Sequence, residues 1–529
     1  MIENNSFPHI ETIDGNATLL VGGKPFLMRA GETHNSTGSS LAWMSRAWDR
    51  ADELGINTLL VAVTWELVET EEGTFDFTGV DALIDQARER GVHLGLLWFG
   101  AWKNGQCMYA PEWVRSDPDR FWRAEPVKGE RKTTLTNFYN MPYSTLSAFC
   151  EETLTADSNA FARLMAHLRE YDGGAGTVVL VQVENECGLM GAARDHCDEA
   201  DRLFAERVPA GLVAFMREYA DGLAADVAAA LAAGAAEGTW EEVFGPVAEE
   251  MFQTYYTAAY VDAVTSAGKD EYPIPMAVNC WLDKGHEPGR FPTGGPNARV
   301  LEIWKWAPPS LDACGPDIYV RTFCDDCDNY RKLDNPLFIP ETATHAYAAP
   351  RAIWATGHHH ALCFSPFGFE EMGEPFDDSV GVLFGMDTSD PALRIPQDPV
   401  QYRAAMEGLA GLFAYAGGYG NMEAIISERG KKQQLELGNW VLDVTFGDMP
   451  GAVLALPVSD DEAFVLGMGA NFFWHSAAED KPHCDLLVCE DGRFVDGVWM
   501  RDRRLNGDET TMPAFEGPTL LRLKTFCYA

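Results

Sequence analysis

The chain has 529 residues, 46% of them apolar and 23% charged, an ordinary globular balance with ample length for large buried cores. A mainly disordered protein is excluded. Forty basic residues against 80 acidic ones leave a net charge of −40, a field that repels phosphate backbones and anionic headgroups and argues against nucleic acid or a membrane as partner.

The opening Met1-Ile-Glu-Asn-Asn-Ser lacks the basic start and apolar run of a secretory signal. No uninterrupted stretch of about 18 apolar residues follows, so the expected location is the cytoplasm. Twelve scattered cysteines fit free thiols in a reducing compartment. Cys324-Asp-Asp-Cys327 lacks the second pair that a zinc site wants. His358-His359-His360, read as strand residues on alternating faces, brings at most two rings to one ion. No metal and no cofactor are expected.

Eight short runs rich in β-branched and apolar residues recur along the chain: Phe26–Glu32, Asn57–Glu66, Val92–Gly100, Thr177–Glu186, Pro273–Trp281, Pro316–Tyr319, Leu337–Glu341 and Ala361–Phe367. Continuous apolar stretches such as Val178-Val-Leu-Val181 suit parallel strands buried on both faces. Between them, Val80–Arg90 and Asn159–Glu170 carry helical spacing. The pattern predicts an α/β fold, a (β/α)8 TIM barrel within residues 1–400, with a doubly wound open sheet as the alternative. From about 187 to 272 the alanine-rich Leu212–Ala236 and the capping pattern Gly238-Thr-Trp-Glu-Glu242 read as a helical insertion after the fourth strand, walling one side of the barrel mouth. Residues 401–529 read as a closing helix, Gln401–Tyr415, a break at Gly417–Gly420, and a smaller β-sandwich-like domain of short alternating strands.

In such a barrel the working groups stand at the carboxyl ends of the strands. The fourth run ends Val181-Gln-Val-Glu-Asn-Glu-Cys-Gly188 and the seventh ends Phe338-Ile-Pro-Glu-Thr342. Carboxylates at the mouth of an apolar barrel are costly to desolvate and need a reason to be there. Glycosidic hydrolysis supplies one, because it needs one carboxylic acid and one carboxylate on opposite sides of a sugar. Spacing alone leaves Glu184 and Glu186 both open as the fourth-strand acid.

Gln182-Val-Glu-Asn-Glu186, Phe338-Ile-Pro-Glu341, Asn57-Thr-Leu-Leu-Val-Ala-Val-Thr-Trp-Glu66, Glu72-Gly-Thr-Phe-Asp-Phe77 and Leu97-Trp-Phe-Gly-Ala-Trp-Lys-Asn-Gly105 closely resemble glycoside hydrolase family 35 β-galactosidases. The likeness extends over residues 15–529 and is to a bacterial branch with a small C-terminal β domain. It implies a retaining mechanism in which the glutamate after the asparagine, Glu186, is the acid/base and Glu341 the nucleophile. It further implies that Tyr319 bonds the nucleophile and that Asn185 grips the sugar 2-hydroxyl.

Glu32, Trp98 and Lys103 complete the expected substrate-binding set, aromatic faces stacking on the sugar and charged groups reading its hydroxyls. His34, Trp65, Glu66, Asn104, Asn279, Trp281 and Phe367 are further candidates. Trp65 and Trp98 also have a plain reading as core aromatics. Glu184 is read as a structural carboxylate paired with an arginine at the barrel rim. Gly31-Glu-Thr-His34 and Trp98-Phe-Gly depart from the commoner family pattern, which bears on the sugar contacts. The expected substrate is a terminal β-D-galactoside of an oligosaccharide or plant-glycan side chain. Another β-glycoside (glucoside, fucoside, arabinoside), a non-catalytic sugar-binding protein and a metal-dependent hydrolase are the competing readings. A homodimer is compatible with the composition.

Overall fold

The computed structural model describes residues 7–134, 142–282, 287–307, 309–375, 381, 384, 386, 389–511 and 513–529. The N-terminal Met1–Ser6, on which the expectation about a leader was based, lies outside them.

Each predicted run forms a strand of one eight-stranded sheet: Met28–Glu32, Thr58–Thr64, His93–Lys103, Val178–Asn185, Met276–Trp281, Ala313–Asp317, Phe338–Thr342 and Cys363–Pro366. Its strand pairings are parallel among the described residues. The sixth strand meets the seventh through the Ile318 N–H bonded to the Glu341 carbonyl at 3.0 Å and the parallel bridge Ile318 to Thr342, so the sheet closes into a barrel. The period of two divides each strand between two cores. Leu60, Ala62, Leu97, Phe99, Leu180, Ala277 and Phe338 fill the interior, while Leu59, Val61, Leu96, Trp98, Val181 and Val183 pack outward against the helices. An N-terminal hairpin, His9–Ile13 with Asn16–Val21, adds Leu19 to the interior cluster and closes the lower end.

The helices Thr78–Arg90 and Glu151–Tyr171 stand where helical spacing was expected. After the fourth strand come Asp198–Phe204, Ala210–Glu218, Ala225–Ala233 and Trp240–Phe244, then the long helix Ala248–Glu271 that leads back to the barrel. The alanine-rich stretch is thus two helices broken at Ala220–Gly222. The predicted cap is formed: the Thr239 hydroxyl accepts the Glu242 N–H and the Glu242 carboxylate accepts the Thr239 N–H.

Helix Pro399–Ala416, capped by Asp398 and ended by Gly417, touches the barrel helices Leu41–Leu54 and Ala348–His359 on one side and sheet strands on the other. Beyond it a six-stranded and a four-stranded antiparallel sheet face each other. Trp440, Leu442, Val453, Val465 and Phe472 lie between them, whereas Leu454, Leu456, Phe464 and Leu466 on the other face join the barrel core. Among the described residues no helix is long and apolar enough to cross a membrane.

His358-His359-His360 corrects the strand reading. The first two residues end the helix Ala348–His359 and His360 is its left-handed cap at φ 54°. His358 Nδ1 lies 2.6 Å from Glu423 and His359 Nε2 lies 3.1 Å from Asp328.

Candidate active site

At the end of the fourth strand the backbone leaves the β region. Glu184 has φ 63° and Glu186 φ 45°, the left-handed conformation that is strained for residues bearing a Cβ and that clusters at functional sites. The kink breaks strand alternation. Glu184, which parity would aim inward with Leu180 and Gln182, turns between the barrel wall and the helices and accepts N–H bonds from Ala101 (3.3 Å) and Trp102 (2.8 Å). Its side-chain partner is not an arginine, as expected, but Asp157, which also accepts the Trp98 indole N–H and the Tyr260 hydroxyl, both at 2.9 Å. Burial and the Asp157 charge push Glu184 well above the carboxylate range. Asp157 is itself raised by burial, with the donors Glu184, Trp98 and Tyr260 pulling it back, so Glu184 carries the proton of the pair. A Cβ on Gly100 would lie 2.4–2.7 Å from Trp98, Asp157 and Glu184, which is why the third-strand motif needs glycine there.

This gives a stability test. Glu184→Ala strips two buried N–H groups and the Asp157 charge of a partner, and is expected to cost about 2–4 kcal/mol. Glu184→Gln keeps an N–H donor and a carbonyl acceptor, and its thermal midpoint should stay close to wild type. Equal damage from both substitutions would contradict a protonated Glu184.

The next two residues point the other way. Asn185 Nδ2 donates to Glu341 Oε1 at 3.3 Å, and Glu341 Oε2 accepts the Tyr319 hydroxyl at 2.8 Å. Asn279 Nδ2 lies 3.4 Å and Lys103 Nζ 3.8 Å from Glu341 Oε1. Four donors therefore converge on one carboxylate that is 3% exposed. Asn279 ties the site together: its Oδ1 accepts the Glu186 N–H (3.0 Å) and its Nδ2 donates to Asp317 (2.7 Å). Asp317 hydrogen-bonds the Glu186 carboxyl, and burial followed by the charges of Glu341 and Glu186 pushes it well above the usual range. One oxygen each of Glu186, Asp317 and Glu341 lie within 4.8 Å of one another. These oxygens could surround a cation, but Lys103 already supplies a positive charge and amide and phenol donors already fill lone pairs on two of them.

Lys103 is 4% exposed and lies 5.0 Å over the Phe99 ring. Burial works against its charge, but Glu341, Glu186, Glu32 and Asp317 outweigh that and raise its pKa, so it stays an ammonium. Glu32 is 1% exposed and, among the described residues, neither of its carboxylate oxygens has a hydrogen-bond partner. Burial, then the Glu341 charge, push it well above the carboxylate range, with Lys103 opposing. A neutral carboxyl of this kind can both donate to and accept from a polyol. A cavity of about 260 Å³ opens here, lined by Asn35, Lys103, Asn104, Glu186, Trp281 and Glu341 among others. Phe384 stacks on Tyr319 with ring centres 4.3 Å apart.

The fold thus brings together Glu186, Glu341, Glu32, Lys103, Asn185 and Tyr319, with Asn104, Asn279, Trp281 and Phe367 beside them. Trp98 does not join them. It occupies an outward position of its strand, is fully buried, and supports Asp157. Trp65 is likewise buried outside, bonded to Glu69, while His34 and Glu66 line neighbouring cavities. Asp317 was missed. The sixth run was read as ending at Tyr319, which placed Asp317 within the strand; the strand ends at Asp317 itself, and an acid ending an apolar strand is the signal that identified Glu341.

A β-galactosidase model, that of glycoside hydrolase family 42, matches residues 42–212, a stretch that contains Glu186 but not Glu341. A model described as a domain of unknown function, DUF5597, matches residues 403–515. β-Galactosidase 14 of Arabidopsis thaliana is 28% identical over 184 residues, 33% of this chain and 18% of its own. A β-galactosidase of Xanthomonas manihotis is 28% identical over 194 residues, 34% of this chain and 26% of its own. The chain thus aligns with only 18–26% of the length of these relatives. Among solved structures, a β-galactosidase from Bacillus circulans sp. alkalophilus has a TM-score of 0.46 at 14% identity, covering 73% of this chain and 56% of that one. The catalytic domain of a β-amylase from Paenibacillus polymyxa has 0.44 at 11%, covering 65% and 93%.

Proposed function

We propose that the protein is a retaining β-galactosidase that removes terminal non-reducing β-D-galactose from oligosaccharides or glycan side chains. The observation that carries this reading is the contrast between two facing glutamates. Glu341 is surrounded by donors that suit an anion, whereas Glu186 shares a hydrogen bond with a second carboxyl, Asp317, which is pushed well above the carboxylate range, so this pair holds a proton that can pass through Glu186 to a leaving oxygen. One oxygen of each glutamate lies within 4.8 Å of one of the other, an approach that fits the spacing of about 5–5.5 Å for double displacement better than the roughly 6.5–9.5 Å of inversion.

In this mechanism Glu341 attacks the anomeric carbon as Glu186 gives its proton to the glycosidic oxygen, and the bond to the leaving group breaks. The product of this step is a galactosyl ester of Glu341 with inverted configuration. Glu186, now a carboxylate, takes a proton from water, the water oxygen attacks the anomeric carbon from the opposite side, and β-galactose leaves with Glu341 restored. Asn185, beside Glu341, is in position to hold the 2-hydroxyl, while Glu32 and Lys103 read hydroxyls further around the ring. The activity named by the matched family model and by the relatives supports the sugar. The motifs favour family 35 while the matched model is that of family 42, and membership of family 35 remains part of this proposal.

The test is a panel of 4-nitrophenyl β-glycosides (galactoside, glucoside, fucoside, arabinoside, xyloside) with the released anomer followed by NMR. The galactoside should be turned over fastest, with β-galactose appearing before mutarotation. A folded protein that cleaves none of them, or that releases α-galactose first, defeats the reading.

A further inference from the structure

We propose that the groove beside the catalytic cavity binds the sugars on the leaving side of the cleaved bond, so that the substrate is a galactosyl-terminated glycan with several residues beyond that bond. This rests on the β-galactosidase reading and extends it to a substrate class. The groove has a volume of about 580 Å³ against about 260 Å³ for the catalytic cavity, and Leu282 and Val320 line both, so the two spaces adjoin. One wall is the insertion segment Gly222–Ala224, and the other is helix Phe323–Tyr330 with Thr322 before it.

Direction follows from strand order. The groups that read the sugar come from the first, third and eighth strands: Glu32, Lys103, Asn104 and Phe367. Leu282 and Val320 follow the fifth and sixth strands, on the other side of the sheet order from those three. Glu186 ends the fourth strand, next to the fifth, so its proton is delivered on the side where the groove begins. A leaving oxygen that receives that proton has its remaining sugars pointing into the groove.

The lining suits a neutral polyol. The two cations on it are already paired, Lys332 with Glu302 at 2.6 Å and Arg299 with Asp226 and Glu250 at 2.6–2.9 Å, so it is no anion site. Leu223, Leu282 and Val320 offer apolar surface for ring faces, and Asp326 and Asn329 line the same groove with groups able to bond hydroxyls. Contacts this far from the reacting carbon act through binding energy contributed by remote sugars.

The experiment compares galacto-oligosaccharides of two, three and four residues in β-1,3, β-1,4 and β-1,6 linkage, which place one, two or three sugars on the leaving side. In the linkage cleaved best, kcat/KM should rise by about tenfold or more from dimer to tetramer. Ala224→Trp, which narrows the groove from the insertion wall, should abolish that gain while 4-nitrophenyl β-galactoside stays within about twofold of wild type. A flat length series in the wild type overturns the proposal, as does a gain that persists in Ala224→Trp or an enzyme that cleaves the aryl galactoside but no oligosaccharide. If Ala224→Trp does not fold, the wild-type series alone decides. Failure to cleave the aryl galactoside is a different result: it removes the catalytic reading, and this proposal with it.

Discussion

Glu341→Gln should reduce kcat/KM on 4-nitrophenyl β-galactoside by on the order of 10⁴-fold, about 5 kcal/mol of transition-state stabilisation, with the fold intact. The amide is nearly isosteric and can keep contact with Tyr319, Asn185 and Asn279, so packing changes little. What is lost is the proposed nucleophile and the negative charge opposite Lys103. Glu341→Ala leaves room for a small anion, and azide should restore turnover and yield α-galactosyl azide, because it enters from the face that Glu341 occupied. β-Galactosyl azide from this variant, or unchanged activity in Glu341→Gln, would show that another group attacks the sugar.

The second large effect depends on the leaving group. Glu186→Ala removes the proposed proton donor, so substrates with a sugar or alkyl leaving group should lose about 10²–10⁴-fold in kcat/KM. A dinitrophenyl galactoside needs no protonation to depart and should lose less than about tenfold in the same parameter. Its kcat should still fall, since the galactosyl ester then waits for water without a base, and azide should relieve that step to give β-galactosyl azide. The opposite azide anomers from the two variants assign the two roles independently of rate. A uniform loss across leaving groups in Glu186→Ala would instead mark Glu186 as a binding group. Asp317, which shares the Glu186 proton, would then be the acid to replace next.

Much of this was readable along the chain. Each barrel strand announced itself by local composition, because a parallel strand buried on both faces has to be apolar throughout, as Val178–Val181 is. Glu341 on the seventh strand and Glu184 with Glu186 on the fourth stand out for the related reason that a carboxylate ending such a strand is too costly to be incidental, and the resemblance alone prefers Glu186. Tyr319, Lys103 and Glu32 lie at or just beyond strand ends as well; the first two line one cavity with Glu186 and Glu341, and Glu32 feels the charges of Glu341 and Lys103. Trp98 went astray because an aromatic near a strand end has two faces to choose from, and the parity of the strand sends it outward to Asp157.

By itself, then, the sequence determined the strand pattern and the barrel and marked the carboxylates that end the fourth and seventh strands, with Glu184 and Glu186 both open on the fourth, all of which depend on neighbours within one run of residues. Only the tertiary structure decided which way each acid points. Left-handed turns at Glu184 and Glu186 cancel strand parity, sending Glu184 to share a proton with Asp157 and leaving Glu186 to Asp317 and Asn279. The groove between Ala224 and Asn329 is equally invisible in the chain, because its walls are far apart in sequence and meet only when the insertion folds back over the barrel. Burial makes both outcomes matter: in a dry interior a carboxyl's behaviour is set by whatever group the fold places against it.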